Sequence, residues 1–472
     1  MSNVKVNWKM GLAYGLPNYG LALMIGPAMG ILHGFLARNY DLSLFYMGMV
    51  FIIARLFDAV TDPLVGITSD KLRQRFWGRR SWVVAGVLLS LLAMYFILIR
   101  SEHLTPLFFC IWMLVSFLAW TVAEVPYLAW GTEIAENYDE RTKLFSYRAF
   151  MGYIGSLLYL ILPLLIMYWQ IFVQGMAPED TTTDYSPLSM RATFWMLAIV
   201  MPLALFAALK VCPDGAHVKR PERRNLGKTI RILLRNKAMQ IFSGAFILLG
   251  LAGGLQIGMA YLHLSVFLNV QNTSTVYLFA FLCSLVGVPF WTRFAKRYGK
   301  HVAFITGLSI TVPLFVGLAL LNPVNPDVLL WGQPHVFWQY LFIICSLNFC
   351  QVVYFVMPPA ILGDIANADM IETKTDETGT YYSVYTFAYK TVLGVGQGVA
   401  LLMAGTVFQF DPSAAEQTAT AATGLRLFMG YIPAALALAG ALLMTRYPIT
   451  REKYEEIQAK LREMGLKTAV DE

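Results

Sequence analysis

The stretch RLFDAVTDP, residues 55–63, places two aspartates one helical turn apart inside an apolar run that covers residues 45–67. A run of about 20 apolar residues predicts a membrane-spanning helix. A carboxylate in the hydrocarbon region costs about 2.5–3.5 kcal/mol on insertion scales. Because residues at i and i+4 leave a helix on the same side, Asp58 and Asp62 share one environment. The pair therefore predicts that something positive or polar meets these acids inside a bundle of helices.

The rest of the chain is apolar too. Of its 472 residues, 57% are hydrophobic and 14% are charged, whereas soluble proteins carry about 25% charged residues. This composition excludes a two-domain soluble enzyme and predicts an all-α membrane protein with twelve transmembrane helices. The predicted spans are 10–37, 44–67, 82–99, 106–132, 146–170, 192–211, 238–268, 275–294, 301–321, 337–361, 380–408 and 424–445. They give two six-helix bundles, 1–211 and 238–445, a cytoplasmic linker, 212–237, and a cytoplasmic tail, 446–472.

The distribution of positive charge predicts the orientation. If the N-terminus is cytoplasmic, the outer loops hold few of the 36 Lys and Arg residues. The outer-loop residues are Arg38, Arg100, Arg191 and Arg426. Cytoplasmic connectors carry the excess of positive charge in membrane proteins, so we expect both termini in the cytoplasm and the chain in the plasma membrane, or the inner membrane of a bacterium. The net charge of +7 then reflects topology and not nucleic-acid binding.

The chain also repeats. The basic connector after predicted helix 2 contains Gly78, and the one after predicted helix 8 contains Gly299; aligning the two gives an offset of 221 residues. Parallel repeats of six helices describe the major facilitator fold. Two chance-similar basic loops are the alternative. We expect charged residues of these connectors to latch the halves in one state of the transport cycle. The residues are Asp70, Arg79, Arg80, Arg293 and Arg297.

Motifs of enzymes and structural metal sites do not stand out. The five cysteines form no CxxC pair, and there is no GxxxxGK[ST] loop, GxSxG elbow or HExxH motif. We therefore expect no enzyme activity, no catalytic residue, no disulfide framework and no cofactor other than a coupling ion.

The two aspartates are candidates for a cation site. Their carboxylates and the hydroxyl of Thr61 are hard oxygen ligands, which suit a small hard cation. Two neighbouring carboxylates without a cation repel each other, and one of them tends to take up a proton. Na⁺ or H⁺ therefore fits the site at Asp58 and Asp62. The alternative is a structural salt bridge, because Arg55 lies one turn before Asp58.

Predicted helix 4 supplies a second acidic group beside aromatic rings. Thr121 and Glu124 are three residues apart and share a face, with Trp120 and Tyr127 close by. Rings that stack on a sugar face and a carboxylate that accepts hydroxyl protons suit a polyhydroxylated solute. Ordinary interface aromatics with a helix-end acid are the alternative.

Two cations complete the candidate site. Lys390 lies inside predicted helix 11 and needs a counter-charge, for which Asp58, Asp62 and Glu124 are the candidates. Arg148, near the start of predicted helix 5, either binds an anionic group of the solute or pairs with Glu124. Neutral groups that could contact the solute are Asn18, Tyr19, Tyr354, Tyr382, Tyr385, Thr386 and Tyr389.

Three blocks of residues resemble the glycoside–pentoside–hexuronide:cation symporter family. The blocks are residues 55–63, residues 124–148 and residues 363–390. The resemblance implies cation-coupled symport of a sugar, glycoside or sugar acid by alternating access. It also implies a cation site at Asp58, Thr61, Asp62 and Thr121, a coupling role for Lys390, and sugar contacts from Glu124 and Arg148.

The sugar half of the site departs from that family at two positions. Ala22 or a neighbour stands where a sugar-binding aspartate is found, and Leu128 stands where a tryptophan is found. Animal sodium-dependent lysolipid transporters have a motif similar to residues 58–63, so a lysolipid or other amphiphile is the alternative solute. A non-transporting membrane sensor is a further alternative, for which Asp58→Asn would leave function unchanged. We expect a monomer in contact with membrane lipid and a small-molecule solute.

Overall fold

Helices dominate the computed structural model, which describes residues 5–40, 42–72, 78–100, 105–135, 138–214, 235–323, 329–330, 333–373, 378–414 and 416–464. The helices of the first part of the chain are α1 (Trp8–Tyr40), α2 (Leu44–Lys71), α3 (Arg79–Met94), α4 (Pro106–Ile134), α5 (Tyr138–Phe172) and α6 (Pro187–Val211). Those of the second part are α7 (Lys237–Leu262), α8 (Thr273–Tyr298), α9 (Lys300–Leu320), α10 (His335–Gln351), α11 (Val353–Thr373), α12 (Thr378–Thr406), α13 (Ala419–Arg426), α14 (Ile432–Met444) and α15 (Arg451–Glu463).

Short elements complete the described fold. One π-helical turn each follows α3 (Tyr95–Ile99), follows α7 (His263–Phe267) and joins α13 to α14 (Leu427–Tyr431). A 3₁₀ turn, Pro178–Asp180, precedes α6, and two antiparallel two-residue strands, β1 (Leu329–Leu330) and β2 (Gln333–Pro334), precede α10.

The predicted twelve-helix plan is confirmed. Within the described ranges, eleven helices are long and apolar enough to cross a membrane, and α1 is a further helix of 33 residues. α10 and α11 together form predicted helix 10, while α13 and α14 form predicted helix 12. Helix α5 begins at Tyr138, eight residues before the predicted start, because hydropathy detects the apolar part of a helix and not its polar first turns.

The first compact unit comprises Met1–Arg220, Ala260–Leu278 and Leu401–Thr418. In it α1 packs on α5 and α6, and α4 packs on α2 and α3. A side chain at Gly86 would lie 2.3 Å from the backbone N of Ala123, and one at Gly155 would lie 2.2 Å from the carbonyl O of Tyr19. Small residues are therefore required where α3 approaches α4 and where α5 approaches α1.

The second compact unit comprises Pro221–Met259, Phe279–Ala400 and Ala419–Glu472. Helix α9 packs on α10, α11 and α14, and the terminal helix α15 packs on α11. Its core contains large apolar side chains such as Phe242, Trp291 and Phe304. Helix α15 lies within the charged segment that follows α14.

The two compact units differ from the predicted bundles at residues 260–278 and 401–418, which group with the first unit. Residues 260–278 join it through polar contacts, since Asp184 pairs with Arg38 at 3.0 Å and accepts a hydrogen bond from Thr273. The Thr183 backbone N also donates to Asn272 at 2.9 Å. The predicted domain boundaries stay a prediction, and residues 215–234 of the predicted linker lie outside the described residues.

Large apolar side chains cover the outer surfaces of the helices. Leu107, Phe172 and Phe342 are 70%, 79% and 71% exposed. A soluble protein seldom exposes so many large apolar groups, so these surfaces fit contact with lipid tails.

The repeat predicted from the connectors is visible in the backbone. Gly78 (φ +62°) immediately precedes α3, and Gly299 (φ +99°) immediately precedes α9. Glycine adopts this left-handed conformation without the steric cost that other residues meet. Both helices therefore start from the same kind of turn, 221 residues apart in the sequence.

Candidate cation and solute site

Helix α2 carries the two aspartates and a hydroxyl on one side. Asp58 and Thr61 are buried, with 9% and 8% of their surface exposed, and Asp62 is half-buried. Pro63 lies inside the helix and has no N–H, so a carbonyl one turn earlier lacks its helical hydrogen bond. This segment is therefore rich in oxygen atoms that can accept a proton or bind a cation.

Two neighbouring side chains bind these aspartates. Arg55 Nη1 lies 2.9 Å from Asp58 Oδ2, and its guanidinium group stacks 4.5 Å from the centre of the Phe117 ring. Thr121 of α4 donates a hydrogen bond to Asp62 Oδ1 at 2.8 Å. The salt bridge considered as an alternative is thus present at Asp58, while Asp62 connects α2 to α4.

Thr61 lies between the two aspartates in sequence, and its hydroxyl is available to bind a cation. Its Oγ1 is buried and has no hydrogen-bond partner among the described residues, although an unpaired buried polar atom costs about 1–3 kcal/mol. In those same ranges, no group of three or more His, Cys, Asp and Glu residues could hold a metal ion. The candidate donor set is instead two carboxylates with the hydroxyls of Thr61 and Thr121.

One turn along α4, Glu124 meets Arg148 of α5. The two side chains form an ion pair, and the guanidinium lies 5.4 Å from the centre of the Tyr127 ring. Asn18 of α1 donates to the backbone O of Arg148 at 2.9 Å. Tyr14 OH donates to the backbone O of Tyr127 at 2.9 Å, which joins α1 to α4. Three helices therefore fix this pair in place.

Each member of the Glu124–Arg148 pair has a further polar atom that can bind a ligand. Glu124 Oε2 and Arg148 Nε are both buried without a hydrogen-bond partner among the described residues. One is an acceptor and the other is a donor, so a hydroxyl group could satisfy both at once. The predicted pairing of Arg148 with an acid of helix 4 is observed, and the pair can still bind a solute.

The other predicted solute contacts have different surroundings. Tyr19 is buried against α5, and Trp120 is half-buried on α4. In the second unit, Tyr385 and Tyr389 stack at 6.1 Å beside Phe246. Their roles in solute binding stay predictions.

The remaining candidates lie on α11 and α12. Tyr354 lies in the apolar core, where its hydroxyl is 3.1 Å from Thr311 Oγ1. Tyr382 donates to the backbone O of Pro359, and Thr386 is exposed. Lys390 is half-buried in α12, and its predicted pairing with the acids stays a prediction.

Charged groups around the start of α3 form a compact cluster. Arg79 pairs with Asp70 and, at 3.1 Å, with Glu133 of α4, and it donates to Ser69 Oγ at 2.9 Å. Arg80 contacts Asp214 at 2.8 Å. The contacts of Arg79 and Asp70 fit the predicted latch, whose transport role stays a prediction.

Sequence reasoning missed two carboxylates in these clusters. One is Glu133. The other is Asp364, whose two carboxylate oxygens accept hydrogen bonds from Lys300 Nζ at 2.7 and 2.8 Å. Arg293 and Arg297, which were expected here, are exposed. The offset of 221 that relates Gly78 to Gly299 also relates Arg79 to Lys300, so the repeat contained the signal that would have found this pair.

This fold, with ionisable groups held at membrane depth, defines a secondary transporter of the major facilitator class. The sequence model of the family described as MFS/sugar transport protein matches residues 10–451, so the chain belongs to this family. It is a multi-span membrane transporter.

Curated relatives match along almost the whole chain. An uncharacterized symporter of Synechocystis sp. is 24% identical and covers 98% of this chain and 98% of its own. The putative glycoside/cation symporter YagG of Escherichia coli is 21% identical, over 97% of this chain and 95% of its own. The sodium-dependent lysophosphatidylcholine symporter 1 of Gallus gallus is 21% identical, over 93% and 86%.

Solved structures with the same fold are transporters as well. The nucleoside transporter NupG has a TM-score of 0.64 at 13% identity, over 93% of this chain and 100% of the other. The xylose transporter XylE from Escherichia coli has a TM-score of 0.57 at 13% identity, over 96% and 98%. At these identities the likeness concerns the fold alone.

Proposed function

We propose that the chain couples the movement of Na⁺ to that of a polyhydroxylated solute, a sugar, glycoside or sugar acid. Asp58, Asp62, Thr61 and Thr121 hold the cation. Glu124 and Arg148 bind hydroxyl groups of the solute. H⁺ is the alternative coupling ion, because one of two adjacent carboxylates can carry a proton in place of a bound cation.

One observation supports this proposal above the others. Thr121 is hydrogen-bonded to Asp62, and Glu124, one turn further along the same helix α4, is paired with Arg148. A cation that binds Asp62 draws on the hydroxyl of Thr121, and a solute that binds Glu124 shifts the next turn of that helix. Helix α4 therefore connects the two sites physically.

The coupling must be reciprocal. If the cation raises the affinity for the solute, the solute raises the affinity for the cation by the same factor. Two sites on one helix meet this requirement when each ligand favours the same position of α4.

Sodium-dependent thermal unfolding of the purified chain tests the cation site. We expect NaCl to raise the unfolding temperature of the unmodified chain relative to choline chloride at equal ionic strength, and Asp58→Asn and Asp62→Asn to abolish this rise. Asp180→Asn, which changes an exposed carboxylate outside the spanning helices, is the matched control. A sodium effect that survives in both helix α2 variants would contradict the assignment.

A lysolipid is the second candidate solute. Its support is the similarity to lysophosphatidylcholine symporters of several animals, over 84–86% of the length of three of them, and the absence of a helix-1 aspartate at Ala22. Competition between a panel of sugars and sugar acids and a panel of lysophospholipids, measured as solute-dependent stabilisation in sodium, separates the two candidates.

We also propose that both termini are cytoplasmic, since the predicted outer loops carry few Lys and Arg residues. We propose a monomer, because both six-helix halves are present in one chain, and no cofactor besides the coupling ion. Cysteine labelling of Ser2→Cys and Asp411→Cys in intact cells would test the orientation: only the second should react with a membrane-impermeant reagent.

A further inference from the structure

A cavity of about 240 Å³ lies in the second unit where α8 ends and α9 begins. Helices α11 and α15 and the segment between α14 and α15 complete its walls. It belongs to neither the cation site nor the solute site described above, because none of its lining residues is among theirs. The cavity lies at the ends of two spanning helices, which is the level of lipid head groups.

The charged side chains of the cavity leave one cation in excess. Lys300 binds Asp364, and Arg451 binds Glu455 at 3.2 Å. Both lining carboxylates are therefore paired with lining cations. Lys296 also lines the cavity and adds a third positive charge, so the wall carries a net charge of +1.

The start of α9 adds backbone donors. Gly299 precedes this helix of 21 residues, and no side chain caps its first N–H groups. The N-terminus of a helix attracts anions through these N–H groups and the helix dipole. Gly299 lines the cavity as well, so the uncapped end borders the same space as Lys296.

Tyr447 provides an independent observation. Its side chain lines the cavity and is only 6% exposed, yet its hydroxyl has no hydrogen-bond partner among the described residues. Burial, with the nearby charge of Asp364, raises the pKa of this phenol well above its ordinary value. Tyr447 therefore stays a neutral hydrogen-bond donor at all physiological pH values. A buried donor without an acceptor indicates that a ligand oxygen belongs there.

The corresponding cation of the first unit, Arg79, is more buried than Lys300, since their side chains are 3% and 33% exposed. There Arg79 lies buried against Asp70 and Glu133. The chain that follows α6 covers the site, because Pro213 O accepts a hydrogen bond from Trp130 Nε1 at 3.0 Å. The cation at the start of α9 is thus more accessible than the one at the start of α3.

We propose that this cavity binds a phosphate group, carried by an anionic lipid head group or present as free phosphate. Lys296, the N–H groups at the start of α9 and the hydroxyl of Tyr447 donate to the phosphate oxygens. Ile361 and Ile449 line the apolar part of the wall, against which the glycerol backbone of a lipid packs. The size of the cavity matches a lipid head group and not a whole lysolipid.

Thermal unfolding of the full-length chain in detergent tests this inference. The probes are dihexanoylphosphatidylglycerol below its critical micelle concentration and inorganic phosphate, each compared with NaCl at equal ionic strength. Stabilisation by the lipid alone identifies a head-group site. Stabilisation by both probes at similar concentrations identifies a phosphate site. Either result supports the inference if Tyr447→Phe or Lys296→Gln binds the probe less tightly than the unmodified chain.

Two variants locate the site. Tyr447→Phe removes one hydrogen bond, worth about 1 kcal/mol, so we expect the apparent affinity for the probe to fall about fivefold. Lys296→Gln should weaken it about threefold, since an exposed charge contributes up to about 1 kcal/mol. Tyr298→Phe, which removes the hydroxyl of an exposed tyrosine at the end of α8, is the matched control and should change nothing.

The inference fails if neither probe stabilises the protein beyond the NaCl control, or if both Tyr447→Phe and Lys296→Gln bind the probe as tightly as the unmodified chain. Sodium-dependent stabilisation, which rests on α2 and α4, should persist in both variants. This readout separates a failure of the phosphate site from a failure of the proposed symport.

Discussion

In the first unit, buried charges lie in the middle of spanning helices, at Asp58 of α2 and Glu124 of α4. In the second unit, the buried carboxylate of the described residues is Asp364 of α11, which is bound to Lys300, the first residue of α9. The interior of the second unit also has neutral polar contacts, such as Gln351 with Gln256 at 2.8 Å, and a half-buried cation, Lys390 of α12. The first unit also buries Arg79 and Glu133, where α3 begins and α4 ends. Both repeats thus have a charged cluster at the start of the corresponding helix, α3 or α9, and the first unit adds buried carboxylates within α2 and α4.

This difference separates two uses of a charge in a membrane protein. A charge at mid-membrane depth is costly and is retained where it binds ions or solutes. A charge at a helix end lies close to water and head groups, so it serves to hold helix ends together at lower cost. We therefore expect ion coupling in the first unit and head-group binding in the second.

The strongest test of the comparison replaces one carboxylate in each unit by an amide. Asp62→Asn should weaken the apparent sodium affinity in solute uptake by at least about 100-fold, because removing one charged partner from a buried site costs about 3–5 kcal/mol. Asp364→Asn should leave the sodium affinity unchanged. Sodium titrations of uptake into proteoliposomes measure both values. An equal loss of sodium affinity in the two variants would break the comparison.

The next test concerns the cations that begin α3 and α9. Arg79 has a side chain that is 3% exposed, with two carboxylate partners, whereas that of Lys300 is 33% exposed, with one. Arg79→Gln should therefore destabilise the protein by about 3 kcal/mol and Lys300→Gln by about 1 kcal/mol. Unfolding temperatures measured without ligands rank the two variants. The reverse order would show that burial does not determine the strength of these clusters.

A smaller effect is expected at the proposed solute site. Glu124→Gln keeps the shape of the side chain but removes the charge that binds Arg148 and accepts solute hydroxyls. We expect solute affinity to fall about 30-fold, which corresponds to about 2 kcal/mol, while sodium alone still stabilises the protein. Solute titrations of thermal unfolding in saturating sodium measure the change.

The control for that variant is Tyr354→Phe in the second unit, which removes a neutral hydroxyl bound to Thr311. If its effect on solute affinity matches that of Glu124→Gln, the second unit contributes to solute binding as strongly as the first.

The smallest effect should come from the connecting hydroxyl. Thr121→Val removes the hydrogen bond to Asp62 without changing charge, so we expect about a fivefold loss of sodium affinity, equivalent to about 1 kcal/mol. Thr68→Val is matched to it, because among the described residues that hydroxyl bonds to the backbone of its own helix alone, at 2.7 and 3.2 Å. A similar loss in both variants would remove Thr121 from the cation site.

Much of this molecule is readable from its sequence. Apolar runs of about 20 residues define spanning helices because the bilayer leaves no other way to satisfy the backbone. The same rule explains why the plan of twelve helices is correct while helix ends such as Tyr138 are displaced. The spacing of Asp58, Thr61 and Asp62 places them on one side of α2, since the helical period is fixed.

Only the tertiary structure decides which helices share those groups. The sequence left Glu124 as one of two possible partners for Arg148, and the packing of α2, α4 and α5 decides for that pair and for the bond from Thr121 to Asp62. The cavity beside Tyr447 is still less visible in sequence, because it arises where a segment leaves space unfilled. Local periodicity follows from the chain's own geometry, whereas contacts and cavities depend on residues distant in sequence meeting in space.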